Sequence, residues 1–128
     1  MNKKITIKDL LAKKEQLKKK KVRTQELYIE SLDGSITIQE PSREIALEGL
    51  EMAGEGRSDE ADVYVVYHSV IEPNLKDKEL QKEFGCVEPT DIVTLLFRSG
   101  EITAISGFAL QLAGYGQGVK KVDRELKN

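Results

Sequence analysis

The sequence predicts an α+β fold, mostly α: an N-terminal helix, one β-hairpin, then four to five short helices packed as a small bundle. Three observations lead there. An Asp-Gly dipeptide sits between two alternating apolar runs in "TQELYIESLDGSITIQEP". Beyond it, apolar residues recur at helical spacing in short segments punctuated by Pro and Gly. The 128 residues contain no Trp and three Phe, so the core must come from Leu, Ile, Val and Ala. That length suits one domain over residues 1–128.

The first element is a helix over 6–21, "TIKDLLAKKEQLKKKK". Thr6 and Asp9 have the spacing of a reciprocal N-terminal cap, with Asp in place of the usual Glu or Gln. Ile7, Leu10, Leu11 and Leu17 share one face, so the first half is expected to dock on the body. The second half runs into Lys18, Lys19, Lys20 and Lys21 and is expected to stay solvated.

The hairpin follows. Asp33-Gly34 favours a two-residue turn in which both positions take φ > 0. That turn pairs Leu32 with Ser35 and Ile29 with Ile38. It places Leu27, Ile29, Ile36 and Ile38 on one face, with Tyr28, Glu30, Thr37 and Gln39 on the other.

Pro41-Ser42 stops the second strand and caps a helix over 42–53. The polar stretch "GEGRSDE" connects it to a helix over 59–71, where Val63, Val66, Tyr67 and Val70 follow helical spacing and acidic Asp59, Glu60 and Asp62 suit the first turn. Its β-branched run "DVYVVYHSVI" also has the composition of a strand. After "PNL" comes a charged helix, "KDKELQKEFG", stopped by Gly85. Pro89 opens a helix over 89–97. The last covers 99–113, capped by Ser99, with Ile102, Ile105, Ala109 and Leu112 on one face. Residues 117–128 are expected to fray.

Charge is unevenly placed. Residues 1–23 carry nine Lys and one Arg against Asp9 and Glu15, whereas the chain as a whole has a net charge of -2. A basic arm therefore precedes an acidic body. A Lys-rich helix can meet phosphates, but it has no Arg or aromatic residue before Arg23 to read or stack on bases, and the body would repel a polyanion. A solvated face or a contact with an acidic protein surface fits better than nucleic acid.

The residues that could carry catalysis do not assemble into a constellation. Cys86 and His68 are the only cysteine and histidine, and no cysteine-nucleophile signature surrounds the thiol. Cys86 and Val87 fit better as small apolar residues filling a corner between two helices, and His68 as a helix-surface or boundary residue. "GYGQG" follows a helix rather than a strand and lacks a Gly-Lys-Ser/Thr, so it reads as a helix exit and not as a phosphate loop. Glu48, Glu51 and Glu55 lack both histidine partners and the oxygen spacing of a calcium loop. No metal, cofactor or catalytic residue is expected. No stretch is long and apolar enough for a signal peptide or a membrane span, and a cytosolic protein is expected.

The ordered series in "PNLKDKELQKEFGCVEPTDIVTLLFRSGEITAISGFALQLAGYG", residues 73–116, resembles the XkdN-like family of phage tail assembly chaperones. "ITIKDLLAKKEQL", a Lys-rich stretch and a hairpin also look like that family. The resemblance implies a non-enzymatic factor that binds the tape measure protein, keeps it soluble and helps bring tail tube subunits to it. It also implies residence in the host cytoplasm, absence from the finished virion and, in some phages, a longer frameshifted form. A retained tail component and a nucleic-acid-binding regulator are the alternatives. For partners, the sequence offers Phe97, Phe108 and Leu112 as a client-facing patch, and Lys18 to Lys21 as a contact for an acidic client or tube protein.

Overall fold

A computed structural model describes residues 3–122. Seven α-helices and one three-stranded antiparallel sheet form within them, the strands in the order β1-β2-β3. The α+β, mostly helical class follows as the sequence predicts.

The N-terminal segment departs from expectation. It forms two short helices, α1 (Ile7–Ala12) and α2 (Lys14–Lys18), interrupted at Lys13. The cap is present: Thr6 Oγ1 accepts from the Asp9 N–H at 3.1 Å, and Asp9 Oδ2 accepts from the Thr6 N–H at 3.0 Å. Docking is absent, because neither helix buries a residue and Ile7 and Leu11 are 77% and 64% exposed. Without tertiary contacts a helix this short is marginal, and like charges one turn apart, as at Lys14 and Lys18, weaken it further.

β1 (Thr24–Ile29) and β2 (Gly34–Gln39) make the predicted hairpin in a different register. Leu27 faces Ile36 and Ile29 faces Gly34, rather than Ile29 facing Ile38. The two-residue turn is replaced by a 3-10 turn at Glu30–Leu32 and a left-handed Asp33 (φ 48°). The Tyr28 hydroxyl donates to Asp33 Oδ1, bracing this longer loop. The displacement is an even number of residues, so the faces survive: Ile29, Ile36 and Ile38 are buried and Leu27 is half-buried.

α3 (Arg43–Gly54) starts where predicted, with Ser42 Oγ accepting from the Ile45 N–H. α4 (Ser58–Ser69) is the central helix, packed against α3, α6 and α7. Contact on several sides explains its weak amphipathicity: Ala61, Val65, Val66 and Ser69 are buried and Val63 and Tyr67 partly so. It ends earlier than predicted. Val70–Glu72 leave the helix as a third strand, β3, with Val70 opposite Ile38 and Ile71 bulged out. The β-branched run thus divides, most of it helical through packing and its end extended through pairing with β2.

α5 (Lys78–Glu83) is capped by Asp77, α6 spans Asp91–Leu96, and α7 spans Ser99–Leu112. Ser99 is the first residue of α7 and not its cap. Arg98 holds the cap position, its N–H donating to Glu101 Oε1 at 2.8 Å. α6, α7, α4 and the inner face of the sheet enclose one core, in which Ile38, Leu75, Ile92 and Ile105 are fully buried. Residues 117–122 form no helix or strand; residues 123–128, the rest of the stretch expected to fray, lie outside the described residues.

Candidate functional site

Cys86 has a structural explanation. α5 ends at Glu83 with Phe84 as its cap, and Gly85 takes a left-handed conformation (φ 69°) that an L side chain would strain. The Gly85 N–H then donates to the Lys82 carbonyl and the Cys86 N–H to the Gln81 carbonyl, both at 3.0 Å. This is the paired closure of a helix C-terminus in which the residue after the glycine turns inward. Cys86 is that residue, and it packs against the core. Val87, expected to share the corner, is instead 92% exposed. Its N–H and that of Glu88 both donate to Asp91 Oδ2 at 2.9 Å, which fixes the approach to α6. "GYGQG" closes α7 in the same manner: the Gly114 N–H donates to the Gln111 carbonyl and the Tyr115 N–H to the Leu110 carbonyl.

His68 belongs to a different cluster. Its Nδ1 lies 3.2 Å from Lys76 Nζ, and the rings of Tyr64 and Tyr67 meet it edge-on, with centroids 4.7 and 5.1 Å away. Burial, then the Lys76 charge, push its pKa below the ordinary 6.5. The folded protein therefore binds fewer protons than the unfolded chain just below that value. His68 supports stability fully above pH 6.5, and that support is lost as pH falls through the lowered folded pKa. Urea melts across this window should show wild-type stability falling toward acid, with a shallower slope for His68→Gln. Equal slopes would remove His68 from the acid response.

Glu48 and Glu51 are exposed on α3, and Glu55 pairs with Arg57 at 3.0 Å. Among the described residues, no group of three His, Cys, Asp or Glu side chains could hold a metal ion. No helix of the described residues is long and apolar enough to cross a membrane.

The three residues proposed as a client-facing patch separate. Phe97 is 5% exposed and part of the core, so it offers no surface to a partner. Phe108 is 50% exposed and Leu112 half-buried. Phe97 is lost from the patch because α6 ends there: the backbone turns extended (φ -115°, ψ 150°) and the ring closes the corner with α7. Helical periodicity carried across that corner could not foresee the turn. Lys18 to Lys21 are all exposed, and together they belong to the undocked arm.

Phe108 stands in a groove that the sequence did not reveal. One wall is the outer edge of β1 with its turn, Glu26 to Ser31. The other is one face of α7, formed by Arg98, Glu101, Ala104, Ile105 and Phe108. This part has a volume of about 720 Å³. A second hollow continues it past Leu27 and Phe108 to Arg23, Gln111 and Leu112. Along α7 the trough is roughly 20 Å long, from the helical rise per residue.

Its floor is apolar, with Leu27, Ile29 and Ile105, and its rim carries Glu26, Glu30 and Glu101 against Arg98. Glu101 is held below the usual carboxylate range, first by the Arg98 N–H and then by Ser31 of the hairpin turn. At the far end, Arg23 Nη1 donates to the Leu112 carbonyl at 3.3 Å, and the Arg23 carbonyl accepts from the Glu40 N–H at 2.9 Å. The far end of the trough is thus tied between the start of β1 and the last turn of α7. The sequence signal for it is the apolar content of the two final helices, Ile92, Val93, Leu96, Ile102, Ile105, Phe108 and Leu112, which is more than two short helices need to bury against each other.

The family model described as "Phage XkdN-like tail assembly chaperone protein, TAC" matches residues 2–127. The chain matches none of the curated proteins and none of the solved structures.

Proposed function

We propose, for a chain that belongs to the XkdN-like family of phage tail assembly chaperones, that it binds the tape measure protein in the β1–α7 groove. In this reading it keeps that client soluble and helps bring tail tube subunits to it. It acts without catalysis in the cytoplasm of the infected cell and leaves before the virion is complete. A longer frameshifted form, where the phage makes one, shares the groove and adds a tube-binding extension.

The observation that carries the reading is the groove itself. Its length, apolar floor and half-exposed Phe108 suit the apolar face of an amphipathic helix of about 12–14 residues, laid in as helices are held by other groove-forming domains. Mixed charge on the rim supplies register rather than most of the affinity.

Phe108→Asp tests this. The side chain is half exposed, so the substitution should leave thermal stability within about 1 kcal/mol of wild type. Co-expressed with the tape measure protein, the variant should lose most of the soluble client that wild type maintains. A folded variant that still holds the client in solution rules out the groove as its site. Mass spectrometry of purified particles checks the exit from the virion.

A further inference from the structure

The N-terminal arm is amphipathic and has nothing to lie on. Ile5, Ile7, Leu10, Leu11 and Leu17 are between 43% and 77% exposed, and no residue of α1 or α2 is buried. Burying such side chains is worth about 1.5–3 kcal/mol each, and a contiguous apolar face rimmed by charge marks an interaction surface. Lysines border this face, while Thr6 and Asp9 already cap its first helix.

The β1–α7 groove is the complement of that arm. Its floor is apolar, and along its full length it is lined by Glu26, Glu30 and Glu101 against Arg98 and Arg23. From Ile7 to Lys18 the arm measures roughly 17 Å if helical throughout, close to the roughly 20 Å of the trough. The signs also agree over longer range: residues 1–23 are strongly basic, and the rest of the chain carries twenty acidic against ten basic side chains.

In the single chain the two surfaces do not meet. Arg23 is bonded to Glu40 and to the last turn of α7, Val22 and Lys20 border a hollow on the body, and beyond them no residue of α1 or α2 is buried. We infer that the arm of one molecule seats in the β1–α7 groove of a second copy, and the second copy's arm in the groove of the first. Because each molecule carries both halves of the contact, the exchange closes at two and leaves neither surface open. The docked arm also acts as a removable cover: a client helix entering the groove displaces it. That last consequence rests on the client reading above, whereas the exchange itself does not.

Sedimentation of the full chain without any client tests the exchange. Wild type should run as a dimer, most tightly at low ionic strength, where the charge between arm and rim is least screened. Leu11→Glu in the arm and Phe108→Glu in the groove should each halve the mass while keeping a cooperative thermal melt, since both positions are exposed in the single chain and only the stability added by association is lost. Mixed one to one, the two variants should recover a dimer, because one arm and one groove remain intact between them. Monomeric wild type overturns the proposal, and so does a mixture that stays monomeric, because an intact arm then fails to pair with an intact groove. Single variants that remain dimeric place the contact elsewhere and overturn it as well. Adding tape measure protein to a proven dimer then tests the cover: if client binds while the dimer persists, the client reading of the groove fails and the exchange stands.

Discussion

Phe97→Ala should cost about 3–5 kcal/mol of folding stability, the largest single effect expected from any aromatic truncation in this chain. The ring is 5% exposed and sits in the core cluster with Val93 and Ile102. It follows the last turn of α6, where its N–H donates to the Val93 carbonyl at 3.0 Å and the backbone turns toward α7. Truncation leaves a cavity at a corner that two helices hold from either side, so collapse is restricted and the cost falls high in the range. Domains of this size commonly have about 5–15 kcal/mol in all. A chemical melt of the variant against wild type measures the loss. A change under about 1 kcal/mol would return the ring to the surface, where a client could reach it.

Gly49→Val should be nearly as damaging for the opposite reason. Gly49 is buried where α3 crosses α4, and a Cβ placed on it would lie 2.7 Å from Val65 Cγ2. Val65 is 1% exposed and β-branched, so it has little rotamer freedom with which to give way. Replacing glycine in a helix recovers a few tenths of a kcal/mol of propensity, but forcing the two helices apart costs about 1–3 kcal/mol. The net expectation is a loss of about 2 kcal/mol. Val65→Ala removes the opposing methyls, so the double variant should be more stable than the sum of the singles, by about 1 kcal/mol. Additive losses would show that the helices do not meet at these two residues.

The sequence made the helices with local punctuation most legible. Ser42 and Gly85 mark ends that the structure places within a residue or two, because caps act over one turn and need no tertiary information. The hairpin was legible in its faces and not in its register. Alternation survives any even displacement, whereas the choice between a two-residue and a longer turn depends on Tyr28 reaching Asp33 and on Leu27 meeting Ile36. Strand β3 lay hidden inside a helical period, since Val70 becomes extended only because β2 offers it an edge. The groove was the least readable feature. Phe108 belongs to it and Phe97 does not, yet both are phenylalanines on predicted helices near apolar neighbours. What separates them is the turn after α6 and the position of β1 beside α7, neither of which is local. The arm misled for a related reason: its apolar stripe predicts docking on the body, and neither α1 nor α2 docks there.

The sheet order leaves β1 with one neighbour only. The Arg23–Glu40 bond sets the alternation, so the backbone groups of Thr24, Glu26 and Tyr28 point away from β2. An open edge of this kind templates pairing with any passing strand, and soluble proteins guard against it with charge and short length. Here the guard is modest: six residues, with Glu26 near the middle and the Gln25 amide bonded to the Glu26 carbonyl. Concentrated chain stripped of whatever occupies the groove therefore carries an aggregation liability of its own. A tail assembly chaperone of this kind thus presents along β1 an unpaired edge of its own, which an occupant of the groove would cover.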